Sequence, residues 1–304
     1  MFNCKKILAV TDPTLEQQPS LLRALSIAEK TGAKIIALSC VYDKSYDMAA
    51  VLTSEERFDM KQAMVEHEKA KLDALVKRLK CESNVEVVIT WYKKLHESVI
   101  DTCTEYNCDL IITSTKKHGL LASTLFTPSD WHIVRNSTVD VLLVKYHEWP
   151  QGGTIVSSIG VSAKDDAHSC LSDKVAETAY ALSKMLNAKL HLANSFAGAP
   201  IHIAVEVPNF SPEVYNKLVQ QRHTDTLQAI GEKYKLDSAN IHVLEGLPED
   251  IIPALCKKYN ADLLVIGSVG RKGLSAAFLG NTAELIIDGV ECDTFVVKPA
   301  KNED

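Results

Sequence analysis

Short apolar runs alternate along the chain with longer amphipathic stretches. In the first half, the runs KKILAVT, KIIALSCV, VEVVIT, DLIIT and DVLLVK predict buried strands. Near-continuous apolar runs of about four to eight residues are typical of parallel strands that are covered on both faces. Between the runs, apolar residues at helical spacing predict helices, of which the longest covers Ser54–Leu79.

The second half repeats this alternation. The runs TIVSSIGV, KLHLAN, NIHVLEG, DLLVIG and DTFVVK predict strands, and helices are expected over Asp173–Leu186, Pro212–Tyr234 and Glu249–Tyr259. Five strands that alternate with helices require a parallel sheet with helices on both faces. We therefore predict an α/β fold made of two tandem, doubly wound, five-stranded parallel-sheet domains of the Rossmann-like type.

The two halves are also related in sequence. CTEYNCDL, which begins at Cys103, matches CKKYNADL, which begins 153 residues later at Cys256, and the same offset pairs Asp140 with Asp293. Farther upstream, GAKIIALS aligns with NAKLHLAN at a slightly larger offset. This self-similarity indicates a tandem duplication. A linker at HEWPQGG, rich in turn residues, places the first domain at 1–148 and the second at 149–304.

The last strand of each half is expected at a sheet edge. An edge strand leaves backbone groups unpaired, and another strand can satisfy them. We therefore predict that DVLLVK and DTFVVK pair with each other, which would make the chain an internal pseudo-dimer. A further homodimer stays open.

The composition argues against several classes of binding partner. The 304 residues are 46% hydrophobic and 24% charged, as in ordinary globular proteins with about two domains. A formal net charge of −6 and the lack of a dense Lys/Arg block argue against direct nucleic acid binding. No apolar run is long enough to cross a bilayer, and eight dispersed cysteines favour reduced thiols. We expect a cytoplasmic protein with no membrane or nucleic acid partner.

A glycine-rich segment after DLLVI is the main candidate site. A glycine-rich turn between a buried strand and a helix can present free N–H groups to an anion. The candidate binding residues are Gly267, Ser268, Val269, Gly270, Arg271, Gly280, Asn281, Thr282 and, after the third strand, Gly246. Simpler roles stay open: the glycines form a turn, Asn281 and Thr282 cap the helix, and Arg271 is solvated.

The spacing of Gly267, Gly270 and Gly280 resembles the nucleotide-binding signature of the universal stress protein family, although Asn281 stands where that signature has Ser or Thr. The resemblance implies an adenine nucleotide alpha hydrolase-like fold. It also implies an Asp after the first strand that contacts the adenine side of ATP, and a glycine loop that holds ribose and phosphates. A role in stress resistance, including resistance to DNA-damaging agents, is implied as well.

The two halves differ in what they keep of this signature. The first half has Asp12 after its first strand, but Ser114, Lys117 and Thr127 replace the glycines. The second half keeps the glycines, and alignment places Gly160 opposite Asp12. We therefore predict a site for ATP or another phosphate-bearing ligand in the second half alone. The expected mechanism is ligand-dependent sensing or scaffolding, with no catalytic residue, no metal and no certain cofactor.

Two other functions remain open. The segment AGAPIHIAVEVPNFSP (Ala197–Pro212) could form a lid or one wall of a pocket for an apolar or amphiphilic metabolite, or it could pack over the seam between the halves. A weak ATPase in the second half would need a metal and a positioned water. His118, His132, His202 and His242 do not share metal-ligand spacing.

Overall fold

A computed structural model of the chain describes residues 2–43, 46, 52–117, 124–125, 127–145, 148–150, 152–161, 166–199, 210–268 and 280–299. The chain forms two compact units. One unit consists of Asn3–Tyr146, and the other consists of Met1–Phe2 together with His147–Asp304. None of the described helices is long and apolar enough to span a membrane.

The first unit is a five-stranded parallel sheet with helices between its strands. Its elements are β1 (Lys6–Thr11), α1 (Pro19–Thr31), β2 (Lys34–Val41), α2 (Ser54–Arg78), β3 (Val85–Trp91), α3 (Leu95–Glu105), β4 (Leu110–Ser114), the short β5 (Lys116–Lys117) and β6 (Thr124–Leu125), α4 (Pro128–Asn136) and β7 (Asp140–Val144). The strand order is β3-β2-β1-β4-β7. The short β5 and β6 pair antiparallel outside this sheet.

The second unit has the same design. Its elements are β8 (Thr154–Ser158), α5 (Asp166–Leu186), β9 (Lys189–Phe196), α6 (Pro212–Lys233), a 3-10 turn (Ser238–Asn240), β10 (Ile241–Glu245), α7 (Pro248–Lys258), β11 (Leu263–Gly267), α8 (Asn281–Gly289) and β12 (Asp293–Val297). The strand order is β10-β9-β8-β11-β12. The predicted doubly wound, five-stranded parallel sheet is confirmed for each half. The pairing of the two last strands stays a prediction.

The strand pairing has the same register in both units. Lys6 lies opposite Lys34 in the first unit, and Thr154 lies opposite Lys189 in the second. Leu110 lies opposite Asp140, as Leu263 lies opposite Asp293. Because β11 is hydrogen-bonded on both sides, Leu263, Leu264 and Val265 are almost fully buried.

The repeated motif YN-x-DL has a structural explanation. Asn107 and Asn260 both adopt left-handed backbone conformations, with φ of 51° and 47°, just after α3 and α7. Asn tolerates this conformation better than most residues and commonly ends helices. Asp109 Oδ2 then accepts from the backbone N–H groups of Lys5 and Lys6, and Asp262 Oδ2 accepts from that of Thr154. The motif therefore ties the end of a helix to the start of the central strand.

The sequence pattern placed the start of α5 too late. The helix begins at Asp166 instead of Asp173. Leu171 is buried together with Val175, four residues on. Residues at this spacing lie on one helical face, so the apolar face of α5 extends back before the predicted start.

Candidate functional site

A cavity of about 380 Å³ lies at the carboxyl ends of β8, β9 and β11. This is where the strand order of the second sheet reverses, since β8 has β9 on one side and β11 on the other. Ligands of open α/β sheets bind at such a point. The apolar lining comes mainly from Ile159, Val161, Leu171, Val175, Ile266 and Ile286. None of the described residues that line this cavity is charged.

The N-terminus of α8 borders this cavity through Thr282 and Ala283. Gly280 is the N-cap residue and has no side chain to cap the helix. The first intrahelical bond runs from Glu284 N–H to the Gly280 carbonyl. The preceding amides, of Asn281, Thr282 and Ala283, have no acceptor among the described residues. This end of α8 thus combines unpaired N–H groups with the positive end of the helix dipole.

The corresponding helix of the first domain, α4, is closed by its own side chains. Thr127 Oγ1 accepts from Asp130 N–H at 3.3 Å, and Asp130 Oδ2 accepts from Thr127 N–H at 2.8 Å. This reciprocal arrangement is a capping box. At the 153-residue offset, Gly280 and Ala283 replace Thr127 and Asp130. The duplication therefore produced one capped and one open helix start at equivalent places.

The predicted site residues do not all lie at the cavity. Gly267 and Thr282 line it, and Gly280 and Asn281 begin α8 beside it. A Cβ on Gly267 would lie 3.1 Å from Leu171 Cδ2 and 3.2 Å from Val175 Cγ2. Gly267 therefore also serves the close packing of α5 on β11. Val269, Gly270 and Arg271 lie outside the described residues.

Ser268 and Gly246 make contacts that stabilise the fold. The Ser268 N–H and hydroxyl both donate to the Val297 carbonyl, and Thr115 makes the same two contacts with Val144 in the first domain. Gly246 has φ of 145°, which glycine tolerates, and its N–H donates to Phe196. It is not among the described residues that line the cavity.

The register of the sheets places Gly160 at the position of Asp12. Thr11 lies opposite Ser39 in the first domain, and the N–H of Ile159 donates to the Ala193 carbonyl just beyond the last β8–β9 pair. The next residues are Asp12 and Gly160. The second cavity therefore lacks the carboxylate that follows β1 in the first domain.

The equivalent cavity of the first domain, about 440 Å³, is much more polar. Asp12 lines it, and its Oδ1 accepts from the N–H and hydroxyl of Thr14 at 2.9 and 2.7 Å. Lys94, at the same cavity, pairs with Glu97 at 2.5 Å. These charged groups are thus engaged within the protein.

Asn194 and Ser195 are among the residues at the second cavity that the sequence did not predict. Both belong to β9 and line the cavity near its carboxyl end. The available signal was their position: they are among the last residues of a strand beside the central one, where ligands of this sheet type lie. The predicted lid or wall after β9 falls mostly on residues 200–209, which lie outside the described residues.

A second group of titratable side chains lies away from the cavity. His191 Nδ1 is 2.9 Å from His242 Nε2, and both rings stack on Tyr259, with centroids 4.2 and 4.9 Å away. Burial, with His242 and Lys189 nearby, lowers the pKa of His191 to about 4. Burial, with Lys258 and Lys189 nearby, also lowers the pKa of His242. Both imidazoles are therefore neutral at pH 7.

The lowered pKa values of this histidine pair predict that the stability of the second domain depends on pH. Between pH 6.5 and 4 the unfolded chain binds protons that folded His191 does not, so stability is complete above this window and falls as the pH decreases through it. From pH 7 to pH 5 the second domain should lose about 1–2 kcal/mol. Urea unfolding, read by hydrogen exchange of β9 and β10 peptides, measures the loss.

The matched control replaces both histidines by the residues at the corresponding strand positions of the first domain, which are Ile36 and Val88. A variant with His191→Ile and His242→Val should lose most of the difference between pH 7 and pH 5. An equal pH effect in the variant and the natural chain would show that other groups cause it.

The fold and the position of the cavity identify the class of protein. The profile of the universal stress protein family matches residues 3–145 and again residues 165–298. The chain belongs to this family, with two of its domains in tandem. A stress-related role follows from this membership.

Several known proteins are similar to this chain over almost its whole length. The chain is 35% identical to universal stress protein E of Salmonella typhi over 297 residues, which are 97% of this chain and 94% of that protein. It is 35% identical to a universal stress protein E homolog of Haemophilus influenzae over 306 residues, 99% of each. A solved structure of a protein of unknown function from Pseudomonas aeruginosa PAO1 superposes with a TM-score of 0.75 at 26% identity, covering 97% of this chain and 93% of that one.

Proposed function

We propose that the chain binds a small phosphate-bearing ligand in its second domain, and that ligand occupancy is the signal by which it senses stress or engages a protein partner. In this proposal it is a cytoplasmic binding protein without catalytic residues, and it contributes to resistance against stresses that include DNA-damaging agents. Nucleic acids and membranes are not its direct partners.

The observation that carries this proposal is the open start of α8 beside the cavity. Three successive amide groups, those of Asn281–Ala283, have no acceptor among the described residues, whereas Thr127 and Asp130 close the equivalent helix start. A helix start with free amides favours a phosphate by hydrogen bonding and by its dipole. The adjoining cavity offers room for the remainder of the ligand. Val269, Gly270 and Arg271 complete the proposed loop.

Calorimetry with inorganic pyrophosphate and with ATP tests the proposal. We expect pyrophosphate to bind the full chain, and a Gly270→Val variant to bind it at least tenfold more weakly, because charge-assisted bonds to a phosphate are worth about 1.5–3 kcal/mol. Lys117→Val, at the corresponding place in the first domain, is the matched control and should change little. Equal pyrophosphate affinity in Gly270→Val and the natural chain would exclude this loop.

The apolar wall of the cavity supports a second candidate, an amphiphilic metabolite. Six aliphatic side chains line the cavity and no charged described residue does, which suits an apolar ligand body. Mass spectrometry of ligands that copurify with gently handled protein separates the candidates. A ligand without any phosphate would favour this second candidate, and metal-dependent phosphate release from ATP would favour a weak ATPase.

A further inference from the structure

The side chain of Asn194 is held in one orientation at the cavity. Its Nδ2 lies 2.7 Å from the Ile159 carbonyl oxygen, and its Oδ1 lies 2.6 Å from His223 Nδ1. A carbonyl oxygen only accepts, so the amide nitrogen must face Ile159. Asn194 Oδ1 then accepts a hydrogen bond from His223 Nδ1, which must carry a hydrogen. This arrangement fixes both the amide orientation of Asn194 and the tautomer of His223.

Asn194 therefore offers the cavity a donor. Its Oδ1 is engaged by His223, while Nδ2 carries a second proton that has no partner among the described residues. Asn194 is 5% exposed and lines the cavity. A buried donor without an acceptor costs free energy, and a ligand that supplies an acceptor removes that cost.

Ser195 adds a second hydrogen-bonding group. It lines the same cavity, and its Oγ is buried without a hydrogen-bond partner in the described part of the chain. Buried hydroxyls normally have a partner. Together with the α8 amides, Asn194 and Ser195 give this cavity hydrogen-bond donors among the described residues.

The first domain has different residues at the corresponding positions. Ser39, which corresponds to Asn194, donates its hydroxyl to Glu68 Oε1 at 2.9 Å. Glu68 in turn corresponds to His223, at the same 155-residue offset. Asp12 places a carboxylate at that cavity, where the second domain has Gly160. Two acceptors of the first domain, Asp12 and Glu68, are thus replaced in the second by Gly160 and by the donor His223.

We propose that the ligand of the second domain carries a carbonyl or carboxylate oxygen at its end beside β9, and that Asn194 and Ser195 determine this specificity by donating hydrogen bonds to it. The inference rests on the proposed function, which places the phosphate of the same ligand at α8. The ligand class is an anion with an apolar middle and an acceptor at each end. A ligand with an amine at the β9 end is disfavoured, because its N–H groups cannot accept from Asn194 Nδ2.

Three matched probes test this specificity by calorimetry: benzylphosphonate, 4-carboxybenzylphosphonate and 4-(aminomethyl)benzylphosphonate. The phosphonate end reports on α8, and the para substituent reports on β9. We expect the carboxy compound to bind about tenfold more tightly than benzylphosphonate, since hydrogen bonds to a charged group are among the stronger ones. The aminomethyl compound should bind more weakly than the carboxy compound, because an ammonium group cannot accept from Asn194 Nδ2.

Two serine variants test whether the added affinity depends on Ser195 in particular or changes on the loss of any buried hydroxyl. Ser195→Ala should remove part of the gain from the carboxylate, because Asn194 still donates, whereas Ser157→Ala should keep all of it. Ser157 is a matched control because its Oγ is also buried and without a partner among the described residues, yet Ser157 is not among those that line the cavity. Neither hydroxyl is needed by a partner in the described fold, so both variants should fold.

A Gly160→Asp variant provides a third test of the same specificity. A Cβ there would lie 3.6 Å from Ser172 Oγ, an ordinary contact. The added carboxylate should reverse the order of the probes, so that the aminomethyl compound binds more tightly than the carboxy compound.

The outcomes distinguish the two proposals. If benzylphosphonate does not bind, the phosphate site at α8 is wrong and the inference falls with it. If benzylphosphonate binds but the carboxylate adds no affinity, the α8 site stands and the joint role of Asn194 and Ser195 is overturned. If the carboxylate adds the same affinity in Ser195→Ala as in the natural chain, the role of Ser195 is overturned.

Discussion

A Thr282→Glu variant is expected to bind pyrophosphate about 100-fold more weakly than the natural chain. Thr282 lies in the first turn of α8 and lines the cavity. A carboxylate about 5 Å from a bound phosphate repels it by about 3 kcal/mol at an effective dielectric constant near 20. The same substitution should not unfold the helix, because an acidic residue in the first turn interacts favourably with the helix dipole.

The two effects of Thr282→Glu have opposite signs, so they can be separated. Calorimetry measures the loss of affinity, and urea unfolding should show stability that is unchanged or higher by about 0.5 kcal/mol. Thr282→Gln is the neutral control of nearly the same shape and should keep affinity within about threefold. If Glu and Gln weaken pyrophosphate binding equally, the charge at α8 is not the cause and the anion does not sit there.

A Leu264→Ala variant should have the largest effect on stability, about 3 kcal/mol of the free energy of unfolding of the second domain. Leu264 is fully buried in β11, which is hydrogen-bonded to β8 and β12. Removing its side chain loses the transfer free energy of its apolar atoms and leaves a cavity that the rigid sheet cannot close. Hydrogen exchange of β11 and α7 peptides at increasing urea concentrations measures the change.

Leu285→Ala is the control for Leu264→Ala. Leu285 lies on α8 and is 54% exposed, so its truncation should cost less than about 0.5 kcal/mol. Because β11 ends at Gly267, next to the cavity, a saturating ligand should recover part of the lost stability in Leu264→Ala. A destabilisation below 1 kcal/mol would mean that the second sheet repacks around the gap.

Several parts of the site were accessible from the sequence, each with its own reason. The glycine spacing after β11 predicted a strand, a turn and a helix start, because glycine and helix-start residues have strong local preferences. The capping box of α4 was not predicted, although it joins Thr127 and Asp130, which are only three residues apart. Ser268 is predicted to contact the ligand. Its N–H and hydroxyl donate to the carbonyl of Val297 in β12, a contact that becomes evident only from the pairing of β11 with β12.

The sequence by itself determined the local and repeated features of this protein: alternating strands and helices, the duplication and the glycine-rich segment after β11. These follow from backbone preferences and from apolar periodicity, which act over a few residues. Only the tertiary structure decided that α8 starts uncapped beside an uncharged cavity, and that Asn194 and Ser195 border it. Such relations join residues more than thirty positions apart, and strand register and helix packing set them.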